Sequence, residues 1–360
     1  MLDLYNQPIP EVDFVLPSEL ERQQIFYWLQ KVSSLTAWRR IFEHYKAWIT
    51  VTENSVREAE RQGWSDKTSL SRNTYLRMSK GIEYFKKGII QLENTDRRPF
   101  ETYGYFTDAK DLLFMYAYDV RRVDEGENGI DEEHTPFWQE YCEAMSSACS
   151  TWHECAYHMV EPRYFGDGLR SYNQWLKNEL KLTHFPPQLD TVPEPEDHIF
   201  VRANGFTPYA GIWEPVAAPE QSFGSRLTGA WKPQPPFEIV GAMAYFHPHS
   251  RAPRIRIGSE DKCAKLNMAW RLLWRDDRYA DGTVPEKEAQ YRFLEPERSK
   301  PKSSGPPGIE NVIWAESGAA AQVAGKWTIE SDTYSVTRKK AQRLPFVQGR
   351  SYRWILAQRM

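Results

Sequence analysis

The chain has 360 residues, of which 41% are hydrophobic and 26% are charged, a composition typical of a folded globular protein and not of a disordered one. Its formal net charge of -3 argues against the basic surface of a general nucleic-acid-binding protein, so we expect no direct nucleic-acid partner. The unusual feature is the aromatic content of 14%, with 14 tryptophans, because large aromatic side chains serve both as core residues and as interface anchors.

Three features of the sequence predict a cytoplasmic protein. The first residues, MLDLYNQPIPEVDF, contain neither a positively charged segment nor a long apolar run, so we expect no secretory signal. No window approaches the roughly 18 uninterrupted apolar residues of a membrane span, so we expect no membrane partner. The four cysteines, at positions 142, 149, 155 and 263, are too few for a disulfide framework in a chain of this length.

The capping residues and the spacing of apolar residues in the segment 18–182 predict a series of helices. Ser18, followed three positions later by Glu21, predicts a capping box, and Ser34 and Gly63 predict the start and the end of a second helix. A fifth helix is expected to begin with Thr135 as its N-cap and Pro136 at its first position, and a sixth to cover 169–182. The residues expected on the buried faces of the first five helices are Ile25, Trp28, Leu29 and Val32; Trp38, Ile41, Tyr45, Trp48, Thr52 and Ala59; Tyr75, Met78, Ile82, Phe85, Ile89 and Leu92; Ala109, Leu112, Leu113, Tyr116 and Val120; and Trp138, Tyr141, Met145, Ala148, Trp152, Cys155 and Met159.

Two glycines on the third helix, Gly81 and Gly88, lie seven positions apart and therefore on one side of it. We expect them to let a neighbouring backbone approach closely, at a cost in helix propensity. Long helices with short connections predict antiparallel packing in a bundle.

The composition changes after His184, where FPPQLDTVPEPED is rich in proline and acidic residues and predicts a linker. Beyond it, Gly-x-Trp occurs at 211–213, 229–231 and 325–327, which we interpret as turns that each lead into a buried strand. Strands are predicted at 199–202, 237–246, 254–257, 312–315, 327–330 and 352–357, with a helical run at 262–274 and a flexible loop at 297–308. The predicted fold class is α+β, with an antiparallel helical bundle at 1–184, a linker at 185–198 and a β-rich domain at 199–360.

The sequence contains none of the common catalytic motifs. It lacks the Gly-x-Ser-x-Gly elbow, the phosphate-binding loop, the dinucleotide fingerprint and the His-Glu-x-x-His helix, so we expect neither catalytic residues nor a cofactor. An enzyme with an unrecognised site near Trp270–Tyr279 and a structural adaptor remain alternatives. The interleaved Trp and Arg residues of that cluster would suit either stacking on a nucleobase or structural pairing of Arg with Asp beside a buried Trp.

Two groups of residues could bind a metal ion. Cys149 and His153 are four apart on the fifth helix, Cys142 lies two turns earlier, and Glu154 and His158 form a similar pair. No second cluster completes a tetrahedral site, so we expect no metal. His247-Pro-His249 predicts a partly exposed loop at the end of a strand.

The connection after the fourth helix is strongly acidic. Its residues Asp124, Glu125, Glu127, Asp131, Glu132 and Glu133 carry six carboxylates across ten positions. One interpretation is a solvated connection between helices, and the other is an electronegative patch that binds a basic partner, because complementary charge speeds association. A calcium site is disfavoured, since the loop lacks the ligand spacing of a calcium-binding loop.

Five segments of the C-terminal half resemble a known class of proteins. They are FTPYAGIWEPV at 206–216, KPQPPFEIVGAMAYFHPHSRAPR at 232–254, WRLLWRDDRYADGTVPEKEAQYRF at 270–293, VIWAESGAAAQVAGKW at 312–327 and LPFVQGRSYRWILAQR at 344–359. They resemble bacterial immunity proteins encoded beside contact-dependent or type VI secretion toxins. The resemblance implies a non-enzymatic protein that binds and neutralises a cognate protein toxin, and it transfers no catalytic residues. We expect the toxin to act in the cytoplasm and its binding site to include the acidic loop, whereas the oligomeric state is not indicated.

Overall fold

The computed structural model describes residues 16–101, 103–156, 159–160, 174–195, 199–217, 237–254, 256–257, 264–265, 268–296, 314–316, 321, 325–329, 335–344 and 353–359. Contacts divide the chain into two compact units, Met1–Ser299 and Lys300–Met360. The first unit contains the described helices and one four-stranded sheet, and the second contains another four-stranded sheet. The predicted α+β class, with helices followed by antiparallel strands, is confirmed.

The helices are α1 Glu19–Val32, α2 Leu35–Arg61, α3 Arg72–Glu93, α4 Tyr105–Asp124, α5 Trp138–Ala156 and α6 Gln174–Leu182. The Ser18 side chain accepts a hydrogen bond from the Glu21 backbone, and the Glu21 side chain accepts one from the Ser18 backbone, which confirms the predicted capping box. Ser34 caps α2 as predicted, and Gly63 follows its end with a φ of 74°. The sequence therefore positions these helix ends through local hydrogen bonds and backbone freedom.

The buried faces of the helices follow the predicted spacing. On α2 every predicted core residue is buried, and on α3 Met78, Phe85, Ile89 and Leu92 are buried whereas Tyr75 and Ile82 are half-buried. At the centre, Trp38 stacks on Phe106 with ring centroids 4.2 Å apart. These aromatic rings fill the space between α2, α3 and α4.

Gly81 and Gly88 on α3 make room for the side chains of neighbouring helices. The prediction that they let a neighbouring backbone approach was therefore wrong in its detail. A Cβ atom at Gly81 would lie 1.9 Å from the Tyr45 hydroxyl, and one at Gly88 would lie 2.5 Å from the Phe106 ring. Both rings are fully buried. The absence of a side chain at each glycine is therefore what lets α3 pack against these rings.

The sheet of the first unit has the strand order β1–β6–β2–β3 and is antiparallel throughout. Its strands are β1 Phe200–Arg202, β2 Gly211–Ala217, β3 Ala244–Phe246 and β6 Met268–Arg275, and a separate pair is formed by β4 Arg256–Ile257 and β5 Ala264–Lys265. The helix predicted at 262–274 is thus wrong, since its described residues lie in β5 and β6. Strand β6 is an inner strand of the sheet and is buried on both faces, so its sequence is apolar almost throughout. Such a run shows neither the two-residue repeat of a half-buried strand nor the 3.6-residue repeat of a helix, and the sequence therefore does not distinguish the two.

The second unit forms a sheet with the order β7–β10–β8–β9. Its strands are β7 Trp314–Glu316, β8 Gly325–Ile329, β9 Ser335–Arg338 and β10 Arg353–Arg359. Trp327 is fully buried in β8, as the Gly-x-Trp interpretation predicts. The predicted strands at 312–315, 327–330 and 352–357 each overlap one of these strands, whereas β9 was not predicted. The loop predicted at 297–308 and the Gly-x-Trp at 229–231 lie outside the described residues.

Within the first unit, one hydrophobic core includes both helical and sheet residues. Ile212 on β2, Tyr245 on β3 and Leu273 on β6 belong to the same buried cluster as Trp28 and Trp38. A second cluster, around Trp213 and Trp270, fills the sheet segment. The division of the chain into a bundle domain at 1–184, a linker at 185–198 and a β-rich domain at 199–360 stays a prediction.

Candidate interaction site

The acidic loop, residues 124–133, begins at the last residue of α4 and precedes α5. All six of its carboxylate side chains belong to exposed residues: Asp124, Glu125, Glu127, Asp131, Glu132 and Glu133. Gly126 adopts a φ of 77°, which reverses the chain directly after the helix. The structure therefore places the predicted residues together on one exposed connection.

Basic residues of α4 offset part of the loop's charge. Glu125 lies 3.6 Å from Arg121, and Glu127 lies 3.0 Å from Arg122. Arg122 is half-buried and the other three side chains are exposed, and surface pairs of this kind contribute little to stability, about 0–1 kcal/mol. The first half of the loop is thus a mixed-charge surface and not a purely negative one.

Asp131 holds the second half of the loop in position. Its carboxylate accepts a hydrogen bond from the His134 backbone N–H at 3.2 Å and lies 2.8 Å from the His134 ring nitrogen Nδ1. Desolvation opposes ionisation of Asp131, but these contacts with His134 prevail and hold the pKa of the carboxyl below its usual range. The His134 ring in turn contacts Trp64 edge-on, with centroids 5.3 Å apart. The loop is thereby attached to the turn that follows α2.

Glu132 and Glu133 are the carboxylates most available to a partner. Both are exposed, and neither forms an ion pair with a basic side chain in the part of the chain that the structure describes. They carry the loop's uncompensated negative charge.

Two exposed aromatic residues flank the loop, and the sequence did not identify either of them. Tyr118 on α4 is 51% exposed, and the guanidinium of Arg121 lies 4.9 Å from its ring centroid. Phe137 is 44% exposed. Helical spacing could have revealed Tyr118, because it lies off the buried face that contains Tyr116 and Val120.

Helix α5 begins two positions later than predicted, so the assignment of Thr135 as its N-cap and Pro136 as its first residue was wrong. The helix begins at Trp138, and Phe137 has a φ of 59°, a left-handed conformation that bulky residues rarely adopt. The Thr135 hydroxyl accepts a hydrogen bond from the Ser69 backbone at 3.0 Å, and the Pro136 carbonyl accepts one from the Ser55 hydroxyl. These groups bind neighbouring segments and do not cap the helix.

Three buried carboxylates join segments of the first unit, each by binding two basic side chains. Glu154 on α5 binds Lys31 and Arg40, Glu214 on β2 binds Arg22 and Arg271, and Asp276 binds Arg97 and Arg278. Burying charges is tolerable only when they are paired in this way. These residues connect the helices with one another and with the sheet.

The cluster at 270–279 is structural in its described contacts. Trp270 is buried and donates a hydrogen bond from Nε1 to the Pro253 carbonyl at 2.9 Å. Asp276 is bound by Arg278, which also donates to the Gln30 carbonyl and the Ser33 hydroxyl. This favours the interpretation of Arg–Asp pairing beside a Trp over that of a stacking platform for a nucleobase.

The described contacts of Cys149, His153 and Glu154 on α5 are with protein groups that do not bind metal ions. Burial raises the pKa of the Cys149 thiol to about 11. His153 is an exposed residue, but partial desolvation of its ring, which lies edge-on to Phe114, still lowers its pKa. Glu154 is bound by Lys31 and Arg40. Among the described residues, no group of three or more His, Cys, Asp or Glu side chains could hold a metal ion. His158 and Cys263 lie outside these residues, and the absence of a metal stays a prediction.

The partly exposed loop predicted for His247-Pro-His249 at the end of a strand is confirmed, because Pro248 is half-buried and His249 is exposed in a turn after β3. His247 itself is buried. Its ring stacks on Phe100 with centroids 4.9 Å apart, and its Nε2 lies 2.6 Å from the Met159 carbonyl oxygen. The neighbouring His249 is exposed in a turn, with a φ of 64°. Packing against the helices, which sequence spacing does not reveal, separates the two histidines.

Comparison with known proteins gives two matches along the chain. Residues 16–170 match the family model Immunity protein 71, and residues 192–292 match Immunity protein 72. No curated protein and no solved structure matches the chain. Of the helices that the structure describes, none has the length and apolar character needed to cross a membrane. The helical segment and the segment that carries the first sheet thus match two immunity protein families.

Proposed function

We propose that this chain is an immunity protein that binds a cognate toxin and neutralises it without catalysis. The observation that carries this proposal is the pair of matches to immunity protein families, which together span most of the first unit. The lack of common catalytic motifs agrees with it. Neutralisation would follow from occlusion of the toxin's active site or from retention of the toxin in an inactive state.

The acidic loop is the proposed toxin-binding site. Its residues Asp124, Glu125, Glu127, Asp131, Glu132 and Glu133 would meet a basic surface of the toxin and speed encounter. Tyr118 and Phe137, both exposed beside the loop, would supply the aromatic contacts that slow dissociation. An antidote needs both properties, because it must reach the toxin quickly and hold it.

We further propose that the toxin is delivered by contact-dependent or type VI secretion and acts in the cytoplasm, where the antidote would also reside. Cys149 and Cys155 are free thiols, which suits a reducing compartment. The resemblance of the C-terminal segments to immunity proteins of those systems supports the context of delivery.

Co-purification with the product of the adjacent gene tests this proposal. A tagged copy of the full chain should retain that product through size-exclusion chromatography at physiological salt. Elution of the two proteins as separate peaks at micromolar concentration would contradict the proposal, because an effective antidote binds far more tightly than that.

A further inference from the structure

An exposed aromatic residue and an arginine form a second surface feature, remote in sequence from the acidic loop. Phe206 is 61% exposed, more than most large hydrophobic side chains of the described residues. The guanidinium of Arg251, which is also exposed, lies 5.4 Å from the centroid of the Phe206 ring. A planar guanidinium stacked on a ring keeps its N–H edge available for a carboxylate.

Hydrogen bonds hold the two loops that carry these residues in a fixed relation. Phe206 and Arg251 form an antiparallel bridge. The buried Thr207 hydroxyl lies 3.1 Å from the Ser250 hydroxyl, and the backbone N–H of His249 donates to the Thr207 carbonyl at 2.7 Å. The stack is therefore preorganised, which lowers the entropic cost of binding a partner.

A second stack of the same type lies on the same loop as Phe206. The guanidinium of Arg275 lies 4.3 Å from the ring centroid of Tyr209, three positions after Phe206. Arg275 is exposed and pairs with Asp277 at 2.9 Å. Three residues of chain reach at most about 11 Å, so the Cα atoms of Phe206 and Tyr209 lie within that distance of each other. We call Phe206, Tyr209, Arg251 and Arg275 the arginine–aromatic surface.

The charge of this surface is partly uncompensated. Arg251 and the nearby Arg254 are both exposed, and neither forms an ion pair with a carboxylate among the residues that the structure describes. Exposed aromatic and arginine side chains on a rigid support have the composition of a binding hot spot. The partner that fits is one that offers carboxylates beside an apolar contact.

We propose that the arginine–aromatic surface is a second toxin-contacting site, which binds an acidic segment of the cognate toxin. This inference rests on the proposed function. It assigns two contacts of opposite charge, in which the acidic loop meets a basic region of the toxin and the arginine–aromatic surface meets an acidic one. Such a two-site arrangement selects a partner by the spacing of its charges as well as by their sign.

A protein partner is favoured over a nucleic acid by the charges of the chain. The net charge is -3, and Asp277 pairs with Arg275 of this surface, so a phosphate backbone would meet repulsion as well as attraction. The cations number too few for the basic stripe of a nucleic-acid-binding protein.

Binding of the adjacent gene's product to full-length variants tests the inference. Phe206→Ala and Arg251→Ala should each raise the Kd at least about tenfold, with Arg251→Lys intermediate because it keeps the charge and loses the planar fork. Leu20→Ala and Arg57→Ala, at exposed positions on α1 and α2, are matched controls that should bind as the wild type does. Unchanged thermal unfolding of the two test variants, both altered at exposed side chains, would establish that they fold.

Three outcomes separate this inference from the proposed function. Wild-type affinity in both Phe206→Ala and Arg251→Ala would overturn the inference and leave the proposed function standing. Failure of the wild-type chain to bind would overturn both. Binding of a single-stranded oligonucleotide that Phe206→Ala weakens, with toxin binding unchanged, would overturn the protein partner in favour of a nucleic acid.

Discussion

The carboxylate of Asp276 accepts a hydrogen bond from the guanidinium of Arg278 at 2.7 Å, and both side chains are almost completely buried. Arg97 lies 3.2 Å from the same carboxylate, and Arg278 also donates to the Ser33 hydroxyl that follows α1. One acidic residue thus connects the end of β6 to two helical segments, although Arg97 and Arg278 lie far apart in sequence.

Asp276→Asn should destabilise the protein by about 3–5 kcal/mol, because it removes the carboxylate that pairs with the buried Arg97 and leaves Arg278 with only the more distant Glu288, 3.7 Å away, among the described residues. Asp277→Asn is the matched control, since Asp277 is adjacent, exposed and paired only with the exposed Arg275 among the described residues. We expect the control to cost less than about 1 kcal/mol. Urea denaturation followed by tryptophan fluorescence measures both, and equal losses in the two variants would contradict the account.

The same carboxylate predicts a dependence on pH. Burial opposes its ionisation, but the charges of Arg278 and Arg97 outweigh that effect and lower the pKa of Asp276 below its usual range. Because the folded-state pKa is depressed, this stabilisation is fully present above the unfolded pKa of about 3.9 and is lost as the pH falls below it. The difference in unfolding free energy between wild type and Asp276→Asn should therefore shrink between about pH 5 and pH 3. A constant difference across that range would argue against a charge effect.

Gly81→Ala should destabilise the helices despite the better helix propensity of alanine. The new Cβ atom would lie 1.9 Å from the hydroxyl of Tyr45, which is fully buried. Overpacking of this kind costs about 1–3 kcal/mol, against a gain of about 1 kcal/mol in propensity. Adding Tyr45→Phe removes the nearest atom and should recover part of the loss. A thermal-melt comparison in which the double variant is no better than the sum of the single ones would contradict this packing.

Leu92→Ala should cost about 2–5 kcal/mol, because Leu92 is fully buried at the end of α3. Ile90→Ala, two positions earlier and half exposed, should cost less than about 1 kcal/mol. Chemical denaturation measures the unfolding free energy of both variants and so checks which face of α3 is buried. A loss for Ile90→Ala as large as that for Leu92→Ala would contradict the prediction.

Changing Glu125, Glu127, Glu132 and Glu133 to Gln should slow association with the toxin by about tenfold at low salt and weaken the dependence of that rate on salt. Thermal stability should be almost unchanged, because all four side chains are exposed. Binding kinetics at two salt concentrations measure the effect. An unchanged association rate at low salt would mean that the loop is only a solvated connection.

The ion pairs of the acidic loop predict which of its carboxylates contribute most to the expected slowing of association. Glu125 and Glu127 already pair with Arg121 and Arg122, so Glu132→Gln with Glu133→Gln should account for most of the slowing. A matched control is Glu43→Gln with Glu83→Gln, which makes the same change in net charge at exposed positions on α2 and α3. Equal slowing by control and test would assign the effect to net charge and not to the loop.

The helices could be predicted from the sequence because their signals are local. The cap at Ser18 and the buried face of α2 depend on spacings of three or four residues, which a single helix satisfies by itself. The wrong prediction at 262–274 has the opposite cause. Strand β6 is defined by its pairing with β1 and β2, and those partners are distant in the sequence.

The candidate sites differ in the same way. The acidic loop is contiguous, so its exposure follows from its polarity. Phe206 and Arg251 meet across 45 positions, Arg22 binds Glu214 across 192, and the left-handed Phe137 depends on hydrogen bonds from Ser55 and Ser69 to its two preceding residues. Only folding brings such residues together, so no local sequence motif predicts these contacts.

Growth of cells that express the adjacent gene's product tests the central claim most directly. Co-expression of the wild-type chain should restore growth, and the variant with Gln at 125, 127, 132 and 133 should restore it less well at equal protein level. Growth arrest that persists with a folded, abundant wild-type chain would contradict the claim that this protein neutralises that toxin.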